Sequence, residues 1–474
     1  MATKNRKIAA ALGGIFILAL LFRGIILAKT HDDYYFTGLS VESGIMAINF
    51  ARGDGFAYNT GTNSRDEQTE EQRLIDPIEF KDELIPENNY FSAHEVPGYA
   101  VLLAATWKLF GAERYIYLQT IQIILDALLV FLIFWIVQRL IPGKRGMYIG
   151  LLAAFFLAFF YPQARIAASA TRDIWPLIII MSTIALLLKA KDFGTLKKRS
   201  LLYLGIGVMF GLGMYLHPII QYLNFFLALA LITHLGWKDA AAFFIITTVC
   251  IGLILTPWIV RNFKHFDRFI PTRDTVWQGI WEGWGEFPDN PMGAILDDGL
   301  TYQHVLEEGY DVVYGSPEYN DILKQKSLAA IKKYPLWVAG ATIRRIPHVL
   351  KPGFGYTYPE AFLADYQALQ QTHGPLAFKF ELARRHPDIA AKALLYRLYL
   401  LFLISVPVGI FLFRKKWREI ILLTAVPIYF FAVLIPLHVE PRYLISIFPI
   451  YCIFSGIAIY YAGEKGFYFI SRRT

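Results

Sequence analysis

Cysteine is almost absent from this 474-residue chain: Cys250 and Cys452 are the only two, and both fall inside apolar runs. Neither a disulfide framework nor a thiolate metal centre can be built from them. Charged residues are scarce at 18%, and no internal repeat is visible. The missing repeat weighs against the paired-half architecture of many secondary transporters. No small-residue cleavage site follows the first apolar run, Ile8 to Ala28, so that run is expected to remain as a helix. The surplus charge of +8 is scattered in short groups and not gathered on one soluble face, which argues against a nucleic-acid partner.

What the chain does have is apolar length. It is 55% hydrophobic and 16% aromatic with a mean hydropathy of +0.41, more apolar surface than a soluble core can hide. After the first run come Ile116 to Val137, Met147 to Tyr161, Asp173 to Leu188, Leu201 to Leu216, Ile220 to Leu235, Ala240 to Val260, Leu398 to Phe413, Ile420 to Leu437 and Tyr443 to Tyr461. The expected fold class is an all-α polytopic membrane protein with about ten or more transmembrane helices.

Charge gives the orientation. Lys and Arg cluster in MATKNRK at the start, at Arg139, Lys144 and Arg145, in Lys189 to Arg199, at Lys238, in Arg414 to Arg418, and at Lys465, Arg472 and Arg473. Only Asp192, Asp239, Glu419 and Glu464 dilute them. Under the positive-inside rule both termini are cytoplasmic and the protein sits in the plasma or inner membrane. Two long segments, 29–113 and 261–397, then lie on the external side. The acidic stretch Asp66 to Glu87 reads as a surface loop. The apolar stretch Tyr99 to Phe110 is too short to span and reads as a helix at the interface.

Several side chains in these segments carry chemistry. Glu42 lies in VESGIMAINFARGDGF, just past the first span, and with Ser40 as N-cap it would sit in the first turn of a helix whose dipole keeps it ionised. Asp32 and Asp33 are rival carboxylates. His94 and Glu95 precede Pro97; orienting an acceptor, binding a divalent metal together with Glu42, and hydrogen bonding at a helix start are all open to them. Trp277, Trp281 and Trp284 form one helical stripe, which reads as an aromatic belt or as a platform for a sugar ring. Arg442 in HVEPRYL, Arg261 and Arg172 stand at span ends on the side where arginine is least expected, ahead of Arg344, Arg345 and Lys351. Asp126, inside the second span, should face the bundle interior and bond to a neighbouring helix. His217 and His234 have no assigned role.

In order, these motifs resemble the GT-C superfamily of polytopic glycosyltransferases, particularly the branch similar to protein O-mannosyltransferases and the lipid A aminoarabinose transferase. The matching residues are Glu42 with Ala47 to Phe56, Pro97 to Tyr99 with Leu109 to Gly111, Pro257, Trp258, Arg261 and Asn262, and Arg442 with Tyr443. The resemblance implies one GT-C-like membrane domain that transfers a sugar, with inversion, from a polyprenyl-phosphate donor. The acceptor is a glycan, lipid or protein on the external side. It implies a carboxylate base, with Glu42 ahead of Asp33 and Asp32. It also implies phosphate-binding cations at Arg442, Arg261 and Arg172, and a pocket of His94, Glu95, Tyr99, Trp277 and Trp281. The sequence departs from the family at Gly38 and Leu39, where better-known members carry an Asp-Glu pair, and at His94-Glu95, where some relatives have Glu-Lys. A transporter or flippase of lipid-linked glycans is the alternative from another class, and a non-catalytic scaffold is a third.

Overall fold

The computed structural model describes residues 2–30, 38–59, 89–350, 360–372 and 374–471. Asp32, Asp33, Lys351 and the stretch Asp66 to Glu87 lie outside the described residues. Helices dominate. The strands among the described residues are one two-residue antiparallel pair, β1 (Tyr58–Asn59) and β2 (Asn89–Tyr90), with Tyr58 opposite Tyr90.

The first half of the chain gives α1 (Ala2–Thr30), α2 (Gly38–Arg52), α3 (Gly98–Phe110), α4 (Tyr115–Leu140), α5 (Lys144–Ala158), α6 (Tyr161–Ala168), α7 (Ile174–Ala190), α8 (Leu196–Leu216), α9 (Leu223–His234) and α10 (Trp237–Phe266). A polar segment then carries α11 (Val276–Gly285), α12 (Asp298–Glu307), α13 (Pro317–Lys333), α14 (Pro335–Leu350), α15 (Glu360–Thr372) and α16 (Pro375–Arg385). The chain closes with α17 (Pro387–Phe413), α18 (Trp417–Leu434) and α19 (Phe448–Ser471).

Six stretches are long and apolar enough to cross a membrane: Arg6–Lys29, Tyr115–Leu140, Leu196–Leu216, Trp237–Phe266, Phe402–Leu434 and Arg442–Glu464. The pair α5 and α6, bent by 54°, makes a seventh if counted as one span. The expectation of about ten or more spans is not confirmed among the described residues. The apolar helices Ile174–Ala190 and Pro218–His234 fall short of that length, and two expected spans lie within Phe402–Leu434, interrupted by a 3₁₀ turn at Arg414–Lys416. Gly98–Phe110 is likewise a short apolar helix, packed through Tyr99, Leu103 and Trp107 with Ile45 and Ile48 of α2.

The break between α5 and α6 has a sequence cause and a polar repair. Pro162 has no N–H to continue the ladder, so a new helix starts there and carbonyls at the end of α5 are left open. Arg23, fully buried on α1, donates to the carbonyls of Leu157 (3.2 Å) and Ala158 (2.9 Å). Its charge is matched by Asp126 at 2.5 Å, and Gln163 Nε2 donates to the other oxygen of Asp126 at 2.5 Å. Asp126 therefore faces inward, as expected of an acid within a span. Three helix neighbours along α4 hold α6: Asp126, together with Gln119 and Gln122, which donate to the carbonyls of Ala168, Ala167 and Ser169.

The polar segment has a small core of its own, made by Trp281, Trp284, Phe287, Val305, Tyr319, Leu323 and Ala341. The tryptophan stripe of α11 is the apolar face of this unit. Trp281 is only 7% exposed, and Trp277 is half-buried against the same cluster.

Candidate functional site

The site forms where α2, the segment after β2, the α6–α7 loop, the end of α10 and the loop before α13 meet. Helix α2 is described from Gly38 to Arg52, with Ser40 within that span. Glu42 follows one turn in, half-buried. Beyond α2 the chain turns through Gly53 and Gly55, both at positive φ, and Asn49 Nδ2 fixes the turn by donating to the Ala57 carbonyl at 2.8 Å.

Residues 92–95 are stitched into place from two sides. Ala93 N–H donates to the Gly315 carbonyl (3.1 Å), Ser92 Oγ donates to the same oxygen (3.1 Å), and Asp274 N–H donates to the Ala93 carbonyl (2.9 Å). Gly315 has φ +70, and a Cβ there would lie 2.7 Å from His94 Cβ, so this crossing requires glycine. The stitching brings Arg273 and Tyr314 to His94 and Glu95. The His94 and Tyr314 rings are 5.1 Å apart.

Glu42, His94 and Glu95 each place a ligand-type atom within 4.8 Å of the others. Two carboxylates and an imidazole are a donor set that suits a divalent cation such as zinc. Glu95, however, is gripped by a bidentate fork: Arg172 Nη2 donates to Oε1 at 2.6 Å, Nη1 pairs with Oε2, and Arg273 Nη1 stands 3.8 Å from Oε1. A cation would be held through Glu42 and His94, with Glu95 joining only by leaving Arg172.

Next to the acids lies a cluster of cations. Arg172 is 6% exposed, and burial and the neighbouring Arg273 push its guanidinium down to about 10. Beside it, burial opposes ionisation of Asp173, but the His217 hydrogen bond and the charges of Arg442 and Arg172 hold its carboxyl well below the usual range. His217 Nδ1 accepts from Ile219 N–H at 3.1 Å, so its proton sits on Nε2, 3.5 Å from Asp173 Oδ1. Burial pushes His217 down to about 4, and it is neutral. The hydroxyl of Tyr99, 2% exposed and without a hydrogen-bond partner among the described residues, faces the field of Asp173.

Arg442 enters this cluster from a chain of alternating charge. It pairs with Glu440 (Nη2 to Oε1, 2.9 Å); His438 bridges Glu440 and Glu286 at 3.2 Å each; and Arg345 Nε donates to Glu286 at 2.7 Å. Burial would lower His438, yet its two carboxylate partners lift it to about 9, so it is an imidazolium.

Three of the expected residues have other partners. Arg261 donates to the carbonyls of Phe56 (3.0 Å) and Ser92 (3.3 Å) and lies over the Trp258 and Phe91 rings, so it acts as a strut under the site. Trp281 is enclosed in the polar segment's core. Arg344 pairs with Asp289 and lies over the Phe287 and Trp337 rings. Arg273, Asp173, Tyr314, His438 and Glu440 were not anticipated. One signal was available for Arg273: the tripeptide Thr-Arg-Asp occurs at 171–173 and again at 272–274.

No family model and no curated protein matches the chain. Among solved structures it is similar to the oligosaccharyltransferase of Archaeoglobus fulgidus in its apo form (14% identity, TM-score 0.48, 98% of this chain and 52% of that one). It is also similar to the same protein in complex with an inhibitory peptide and a dolichol-phosphate (13%, 0.48, 96% and 50%) and with zinc and sulfate (13%, 0.46, 95% and 49%). The chain spans about half the length of those structures.

Proposed function

We propose that this protein is an inverting glycosyltransferase of the GT-C type that uses a polyprenyl-phosphate sugar. The observation that carries the reading is the junction of an acid and imidazole group, Glu42, His94 and Glu95, with three arginines, Arg172, Arg273 and Arg442, at the end of apolar helices.

Transfer from a lipid phosphate makes two demands, and the junction answers both. As the acceptor oxygen attacks the anomeric carbon, its proton must leave, and Glu42 is the proposed acceptor of that proton because Glu95 is already held by the Arg172 fork. As the bond from the anomeric carbon to the phosphate oxygen breaks, the electron pair stays on the phosphate, and the arginine cluster stabilises the added charge. Arg172 and Arg442 are already ordered by Glu95 and Glu440, so little reorganisation accompanies the step. A divalent cation at Glu42 and His94 would add positive charge there. The arginines lie beside the apolar helices, which suits a donor whose tail stays in lipid. In this reading the Glu42 face is external and both termini are cytoplasmic, as the distribution of Lys and Arg favours.

The test is transfer from a panel of radiolabelled polyprenyl-phosphate sugars to membrane extract by the purified protein in nanodiscs. Label leaving one donor with wild type and not with Glu42→Gln supports the reading. Undiminished transfer by Glu42→Gln removes Glu42 as the base, and no transfer from any donor refutes the class.

A further inference from the structure

The polar segment contains a second group of acids that the transfer step does not use. Glu282 on α11 is 5% exposed, and burial with the nearby charge of Asp298, the first residue of α12, pushes its carboxyl up to about 10. Gln278 Nε2 donates to Glu282 Oε1 at 2.9 Å and lies 3.4 Å from the Tyr314 hydroxyl, which donates to Asp298 Oδ2 at 3.3 Å. Asp298 is exposed, so the pair opens to solvent. An independent observation points to a ligand. Tyr319 is 1% exposed, its hydroxyl has no hydrogen-bond partner among the described residues, and it lies in the field of Glu282 and Asp298. A buried hydroxyl left unpaired is destabilising unless something else bonds to it.

The group also adjoins the site. The Tyr314 ring is 5.1 Å from His94, 5.5 Å from Tyr302 and 5.8 Å from Tyr319, and Tyr314 feels Glu42 as well as Asp298. The group sets the Gln278 amide and the Tyr314 hydroxyl beside the carboxyl oxygens of Glu282 and Asp298. It therefore offers a donor and several acceptors side by side. Vicinal hydroxyls on a sugar, each able to donate and accept, match that array, and the tyrosine rings supply apolar faces. A carboxylate or phosphate would meet the pair's negative charge.

We propose that Glu282, Asp298, Tyr314 and Tyr319 form the acceptor subsite, and that it takes a neutral, hydroxyl-bearing glycan. Its role as acceptor subsite rests on the transfer reading; its binding of neutral glycans does not.

The experiment measures binding of neutral methyl glycosides and oligosaccharides, and of the matching uronides, to the full chain in nanodiscs by ligand-observed NMR. Wild type is compared with Tyr319→Phe and Asp298→Ala. Tyr319→Phe removes only an unpaired hydroxyl and is expected to fold. Neutral glycan should bind saturably, about 3- to 10-fold more weakly in each variant, with uronides weaker than their neutral partners. Uronides binding as tightly, variants binding like wild type, or no neutral glycan binding would each overturn the proposal. Polyprenyl-phosphate binding, read on the same samples, reports the arginine cluster separately. A protein that binds neutral glycan but no lipid phosphate upholds the subsite and refutes the transfer reading.

Discussion

At the scale of single residues, the division of labour starts from Glu95. Its carboxylate is held by the Arg172 fork with Arg273 3.8 Å away, which leaves the proton-accepting role in the proposed reaction to Glu42. Glu42→Gln is therefore expected to lower turnover by about 10²- to 10⁴-fold with donor affinity unchanged, measured as a split between kcat and KM. Arg172→Lys replaces a planar fork by a point charge, and the account expects donor KM to rise by about tenfold as the bidentate grip on Glu95 is lost. Arg172 and Arg442 stood out in the sequence as charges at the ends of apolar runs, Glu42 as the acid on a helix leading into a glycine turn, and His94 and Glu95 as the polar pair before Pro97. Arg261 was legible as unusual, but its use as a strut depends on the Phe56 and Ser92 carbonyls, which only the folded chain brings to it. Glu282 and Asp298 were not legible, because an acid on a polar segment looks solvated until its neighbours are known.

At the scale of elements, two small devices set the site's geometry. Gly315 lets the loop before α13 cross over His94, and Gly315→Ala is expected to displace that loop and lower transfer by more than tenfold, with apolar helix content unchanged by circular dichroism. The second device is the linkage from Arg345 to Arg442 through His438, which fastens the polar segment to the loop between α18 and α19. His438 is raised to about 9 from an unfolded value near 6.5, so its stabilising contribution is complete below about pH 6.5 and is lost as the pH rises through about 9. Thermal unfolding followed from pH 6 to 10 should show that slope, and His438→Gln should flatten it. The apolar run Met147 to Tyr161 marked α5, but α6 and the break at Pro162 were not read from the sequence. The repair by Arg23 was hidden, because a single arginine in a first span resembles a misplaced charge until Asp126 is seen opposite it at 2.5 Å. Removing one partner of such a buried pair costs roughly 3–5 kcal/mol, so Asp126→Ala is expected to lower the unfolding temperature markedly.

At the scale of the whole molecule, composition disclosed an integral membrane protein, and runs of apolar residues disclosed the long apolar helices but not α6 or most helices of the polar segment. The number of spans was harder to read, because Ile174–Ala190 and Pro218–His234 are apolar enough but too short, which length statistics on the sequence blur. Orientation is testable directly. Cys250 and Cys452 are buried, so a cysteine introduced at Asp289 should react with an impermeant maleimide in intact cells, and one at Lys197 only after permeabilisation. The central claim, that a sugar leaves a lipid phosphate at the junction of Glu42 with the arginines, is tested most directly by quantifying free polyprenyl phosphate released from a labelled donor in a single turnover. The account predicts one polyprenyl phosphate per sugar transferred by wild type, and release falling to background in Glu42→Gln although the donor still binds. Sugar-lipid recovered intact from wild type with every donor, or release by Glu42→Gln at the wild-type rate, would contradict it.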